Sequence, residues 1–204
     1  MDKKRSKAPI LLCLTFLSLC LMNHPAKAGE VGEITGAVRA RGVKNPSEVV
    51  IYIEKVEGQF QPPLMPLVID VKMMNFVPHV LPVLVGSSVK FVNHDKMEHH
   101  AMALQKKQTI FDLPLPTGSS SPQILKQAGP VTILDNHHPE MSAYILVLQN
   151  LFFAKPDEKG NYTIANVPPG TYTLKTWHEK LEPEGKEVKV SEGSKVRVDF
   201  ELRR

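Results

Sequence analysis

Asp135-Asn136-His137-His138-Pro139-Glu140-Met141 is the stretch on which the reading of this chain turns. It gathers a carboxylate, two imidazoles and a thioether directly after the strand-like run Val131-Thr132-Ile133-Leu134. A carboxylate, a nitrogen ligand and a soft sulfur at i, i+3 and i+6 can converge on one ion if the segment is a tight loop. Pro139 argues against a helix through this spacing, because it removes an amide donor and restricts His138. Taken alone, the segment is also satisfied by a polar surface turn. Val131 and Ile133 share one face of their strand, and a period of two puts Asp135 on that face too. An inward carboxylate needs hydrogen-bond donors or a cation.

Outward from this loop the chain reads as strands throughout. Gly32 to Ala40 alternates apolar and polar positions, and Val49 to Glu54 is a more deeply buried run. The proline-rich stretch 58–66 reads as a crossing between domains. Beyond it come Leu67 to Val71, Phe76 to Val83 and Val89 to Val92. The last runs into Asn93-His94-Asp95-Lys96-Met97-Glu98-His99-His100, a second cluster of potential ligands. Residues 112–130 hold several prolines, two glycines and a serine triplet, and read as loop with a short strand near Ile124. Ser142 to Leu148 is apolar enough to be buried on both sides, and the remainder alternates strands with Gly and Pro turns. No window carries a helical stripe, so the expected class is all-β.

The first residues look like a targeting segment. Lys3, Lys4, Arg5 and Lys7 precede an apolar run, Ile10 to Met22, and Ala26-Lys27-Ala28 offers small residues for cleavage after Ala28. Residues 1–28 are therefore expected to be a secretory signal peptide, too short to span a bilayer. Leu19 before Cys20 is bulky where a lipoprotein signal carries a small residue. Both cysteines of the chain, Cys13 and Cys20, lie in this segment, so the expected mature part, 29–204, has neither disulfide nor thiolate. It is expected to be periplasmic or secreted, with no membrane attachment after cleavage. Of 25 basic and 21 acidic residues, the segment takes Lys3, Lys4, Arg5, Lys7 and Lys27 against Asp2, leaving 20 of each. A balanced charge gives no argument for nucleic acid or an anionic membrane as partner.

The two ligand-rich loops, each at a strand end, resemble the cupredoxins, and most closely their amicyanin-like branch. That pattern has an Asn with a His six residues later, then a loop of Cys, two residues, His-Pro, one residue, Met. Asn93 and His99 stand at the first pair, and His138, Pro139 and Met141 in the loop, while Asp135 occupies the Cys position. With Phe76 to Val83, Phe111-Asp112-Leu113 and Trp177-His178-Glu179, the chain is similar to exported bacterial proteins called methylamine-utilisation-like cupredoxins. Its flanks look like another family. Asp157 to Ile164 and Val167 to Leu174 are similar to the carboxypeptidase regulatory domain, a transthyretin-like sandwich whose first strands look like Ile34 to Val38 and Val49 to Ile53. Together the resemblances imply a cupredoxin Greek-key β-sandwich, residues 67–148, inserted into a second, transthyretin-like β-sandwich made of residues 29–60 plus 149–204.

The resemblance also implies a metal set: His99, Asp135, His138 and Met141. A type 1 copper site takes its colour and fast electron exchange from a covalent copper–thiolate bond, which aspartate cannot supply. As a hard anionic ligand, Asp135 would favour Cu(II) or Zn(II), lower the potential and leave the site pale. Three readings follow. The protein binds copper, for copper handling or low-efficiency electron transfer, with an unidentified periplasmic redox or copper-exchange partner. Alternatively, Asp135 is tied by hydrogen bonds and the chain is a metal-free two-module binding protein. The third is a zinc hydrolase, but no separate general base or substrate pocket is legible, and the expectation is a non-enzyme. His100 and His137 are expected to line the mouth of the site, His94 and Asp95 to form a turn, and Met73, Met74 and Met102 to sit in the core. His79 is expected to be packed and hydrogen-bonded, and His178 to lie where the modules meet.

Overall fold

Alternation of buried and half-buried positions runs through nearly every strand, and the long-range pairing sorts the strands into two sandwiches. The computed structural model describes residues 30–43 and 45–204. The expected signal peptide, its cleavage site and both cysteines lie outside the described residues. In chain order the strands are β1 (Gly32–Ala40), β2 (Val50–Ile53), β3 (Leu67–Lys72), β4 (Asn75–Val77), β5 (Val80–Leu84) and β6 (Ser88–Asn93). There follow β7 (His99–Gln105), β8 (Gln108–Leu115), β9 (Ser120–Ile124), β10 (Gly129–Leu134), β11 (Ser142–Leu148) and β12 (Phe153–Ala154). The last are β13 (Asn161–Val167), β14 (Gly170–Trp177), β15 (Gly185–Val190), β16 (Lys195–Arg197) and β17 (Phe200–Leu202). The one helical element among the described residues is a 3-10 turn at Pro46–Glu48, capped by the Asn45 side chain. The protein is all-β.

Strands β3 to β11 form one sandwich. Its sheets are ordered β5-β11-β10-β7-β8 and β4-β3-β6-β9. Between them lie Ile69, Val71, Phe91, Val131, Ile133 and Ile145, all with no exposed surface. Burying each such side chain contributes about 1.5–3 kcal/mol, so period-two patterning is sufficient to hold this face inward. The other sandwich draws on both ends of the chain. Strand β1 pairs with β13, β16 and β17, and β2 lies between β12 and β14. Ile34, Ile51, Ile53 and Leu174 fill it. The two sandwiches meet through an apolar seam in which Val50 and Trp177 pack with Val80, Leu146 and Leu148. Tyr144 stands 5.7 Å from Trp177, ring to ring.

Three local expectations need correction. Residues 112–130 are largely strand: β8 and β9 run through Pro114 and Pro122. Both are edge strands of their sheets, where a missing amide donor leaves no ladder bond unmade. The expected strand from Phe76 to Val83 is two strands, β4 and β5, which lie in different sheets on either side of the cis Val77–Pro78 peptide. Met73 and Met74 are not core. They form the β3–β4 hairpin turn with φ of 51° and 56°, a two-residue connection whose backbone matches strand twist. Met73 is 79% exposed.

Gly36 on β1 is required by close approach: a Cβ there would fall onto the backbone carbonyl of Val198. That segment is held by the Val198 N–H, which donates to the Thr35 carbonyl at 2.8 Å. The Gly36→Ala variant is therefore expected to lose at least about 1–3 kcal/mol, as overpacked cores do. Urea unfolding followed by the fluorescence of the single tryptophan, Trp177, measures it. A stability equal to that of the parent protein would contradict the close approach.

Candidate metal centre

The loop between β6 and β7 is shaped by Asn93, which is buried at the end of β6. Its Nδ2 donates to the carbonyls of Met97 at 2.8 Å and Leu115 at 2.7 Å, while its Oδ1 accepts from the Asp95 N–H at 2.9 Å. This closes residues 93–97 into a knot and delivers His99 to the first position of β7 with no exposed surface. On the other side, β10 alternates Val131 and Ile133 inward, and Asp135, the residue directly after it, continues that period and is 3% exposed. The loop after it closes on itself: Asp135 N–H donates to the Met141 carbonyl at 3.3 Å, and Met141 N–H to the His138 carbonyl at 2.9 Å.

These two loops bring His99, Asp135 and His138 together. His99 Nδ1 lies 2.8 Å from Asp135 Oδ2, and His138 Nδ1 lies 3.4 Å from Asp135 Oδ1. One carboxylate thus faces two rings, one to each oxygen. The rings stand 4.8 Å apart. Zinc-type bonds of about 2.0 Å on tetrahedral angles put neighbouring ligand atoms about 3.3 Å apart, so the separations fit a shared ion. Two further features fit one. His138 Nδ1 is buried with no hydrogen-bond partner among the described residues. His99 Nε2 sits 3.1 Å from Asp95 Oδ2. If Nε2–H is donated there, Nδ1 and the Asp135 oxygen face each other as two acceptors unless a proton or cation lies between. An outer carboxylate fixing the tautomer of a ligand imidazole is a common feature of metal centres.

The same carboxylate is also well supplied with donors. Asp135 Oδ1 accepts from the N–H groups of His137 at 2.7 Å and His138 at 3.1 Å, and Oδ2 from the N–H of His100 at 3.2 Å. Burial pushes the Asp135 carboxyl up, but the amides of His137 and His100, the His99 ring and the His138 amide together outweigh it. The result is a value below the ordinary 3.8. A carboxyl lowered by folding stabilises the native state fully above its unfolded value and loses that contribution as pH falls through the lower folded value. The metal-free protein is thus expected to keep this stabilisation down to about pH 4 and to lose it in more acidic solution. Acid unfolding of the parent and of Asp135→Asn measures it: only the parent should show this component, and identical acid profiles would contradict it.

Met141 is 2% exposed and its side chain belongs to the core between the two sheets. His100 and His137 lie at the rim with ring centres 4.7 Å apart, and His100 Nδ1 is 3.1 Å from Asp112 Oδ1. His94 is exposed and faces Asp70. Asp95 has a larger part than a turn-former. Besides holding His99, it accepts from the N–H groups of Met73 and Met74 at 2.6 and 2.9 Å. Its spacing of four before His99 was the available sequence signal, but a strand and its preceding loop have no fixed i, i+4 geometry.

Residues 135–203 match the sequence model of the carboxypeptidase regulatory-like domain. The first part of that match, through Leu148, is hydrogen-bonded into the β5-β11-β10-β7-β8 sheet, whereas β1 and β2, outside it, pair with its later strands. No curated protein matches the chain. Among solved structures, a purple cupredoxin from Nitrosopumilus maritimus is 20% identical, with a TM-score of 0.36 over 40% of this chain and 98% of its own. An amicyanin variant in the Cu(I) state is 19% identical, with a TM-score of 0.38 over 40% of this chain and 81% of its own. The copper-containing nitrite reductase of Thermus scotoductus SA-01 is 24% identical, with a TM-score of 0.40 over 48% of this chain and 26% of its own. The chain thus has cupredoxins among its similar solved structures and a carboxypeptidase regulatory-like match over residues 135–203.

Proposed function

We propose that this is an exported, periplasmic or secreted copper-binding protein. His99, Asp135 and His138, with Met141 as a soft fourth member, hold the ion, and the role is copper handling or slow electron transfer rather than catalysis. The observation that carries the reading is one buried carboxylate offering an oxygen to each of two imidazole Nδ1 atoms at 2.8 and 3.4 Å. When bound, copper would supply one-electron chemistry at a potential lowered by the anionic oxygen ligand. The chain's own residues supply orientation and shelter. Asp95 holds the His99 ring, and the amides of His100, His137 and His138 hold Asp135.

A second reading is favoured by those same amide bonds. A carboxylate accepting three N–H groups and an imidazole is satisfied without metal, and the protein would then be a two-module binding protein. The two are separated by metal analysis of protein purified without added metal, followed by titration with Cu(I), Cu(II) and Zn(II) and an EPR spectrum of the Cu(II) form. Stoichiometric, pale Cu(II) with nitrogen hyperfine structure is expected. Failure to bind copper at micromolar concentration would overturn the proposal in favour of the metal-free reading.

A further inference from the structure

Away from this centre, a second group of ligating atoms lies where the two sandwiches meet. Glu48 comes from the 3-10 turn before β2, Glu179 from the segment after β14, and His79 from the link between β4 and β5. Their ligand atoms lie within 4.8 Å of one another. They line a cleft of about 710 Å³.

Three observations show a cluster short of a partner. First, His79 Nδ1 lies 3.1 Å from the Ser142 carbonyl, which only accepts, so Nδ1 carries the hydrogen. In the neutral ring Nε2 is then a lone pair, and it faces Glu179 Oε1 at 3.4 Å. In that state two acceptors face each other across a distance close to the tetrahedral ligand spacing of about 3.3 Å. Second, the Glu179 side chain is 3% exposed, and its Oε2 has no hydrogen-bond partner among the described residues. Third, His178 Nδ1 accepts from the Lys180 N–H at 3.0 Å, which leaves its proton on Nε2. That Nε2 is buried without a hydrogen-bond partner among the described residues, and Glu48 Oε2 lies 4.0 Å away. Lys180 Nζ holds Glu179 Oε1 at 3.1 Å, but its side chain is 59% exposed and free to swing into solvent. Lys155 is directed elsewhere, donating to the Val80 carbonyl at 2.8 Å.

We propose that Glu48, His79 and Glu179 form a second divalent-metal site that clamps the two sandwiches together. His79 Nε2 and one oxygen from each glutamate ligate, with His178 Nε2 4.0 Å from Glu48 Oε2. The Ser142 carbonyl sets the tautomer of His79, as outer groups do for ligand histidines. One imidazole and two carboxylates suit zinc, with water in the fourth position. Because the ligands come from both modules, zinc would couple their unfolding.

The test is zinc bound per chain, measured by calorimetry and elemental analysis on the full mature protein. The parent protein, Glu48→Gln, His79→Gln and Asp135→Asn are compared, with near-UV circular dichroism to verify folding. Loss of an outer-shell partner alone costs about 10–100-fold in metal affinity, so loss of a ligand should weaken this site at least that much. Glu48→Gln and His79→Gln are expected to bind one equivalent fewer than the parent, while Asp135→Asn retains that equivalent. Glu48 lies at the half-exposed rim, so its variant keeps the fold even if His79→Gln does not. Unchanged zinc stoichiometry and affinity in Glu48→Gln would overturn the proposal. So would a parent protein whose zinc is lost entirely in a folded Asp135→Asn.

Discussion

The Asp135→Ala variant is expected to lose copper binding and about 3–5 kcal/mol of stability, the cost of removing one partner from a buried charged pair. The magnitude follows from what the carboxylate leaves behind. The N–H groups of His100, His137 and His138 lose their acceptor, and buried His99 keeps only Asp95. Each unsatisfied buried donor costs about 1–3 kcal/mol, so most of the loss comes from the amides. Asp135→Asn separates the two contributions, because its side-chain oxygen can still accept while the charge is gone. Urea unfolding of the metal-free variants, paired with copper titration, measures both. An Asp135→Ala protein as stable as the parent would refute the donor cage, and one that still binds copper stoichiometrically would refute the ligand assignment.

The Asp135→Cys variant is expected to turn from pale to intensely coloured on adding Cu(II). A thiolate at the end of β10 would join His99 and His138 in a two-imidazole, one-thiolate set, whose copper–sulfur charge transfer gives blue sites their absorption. The amides now bonded to Asp135 are placed to hold the sulfur. Visible absorption and EPR on the loaded variant are the readouts. A variant that binds copper yet stays colourless would show that the three side chains do not share one ion. The result is independent of folding energetics, since a single spectrum on soluble, copper-loaded protein decides it.

Much of the architecture was legible in local pattern. Alternation marked the strands, and the same period carried Asp135 inward beside Val131 and Ile133, all of them buried. Where local pattern misled, the reason was position within a sheet. Pro114 and Pro122 read as loop, yet they sit in edge strands, and no local feature says that a strand will be an edge. Met73 and Met74 read as core because they are apolar. They occupy a tight turn instead, where the backbone's positive φ and the Asp95 carboxylate decide their place.

By itself, the sequence determined the all-β class, the two loops rich in His and Asp and the lack of any thiolate in residues 29–204. These depend on residue type and short-range period, which one chain carries without reference to its partners. Tertiary structure alone decided that Asp95 backs His99 and that β1 and β2 join strands from the far end of the chain. It also placed Glu48, His79 and Glu179 in one cleft. Those depend on which sheet edges and faces remain free after the local elements form, and that is settled by packing between distant segments rather than by any one of them.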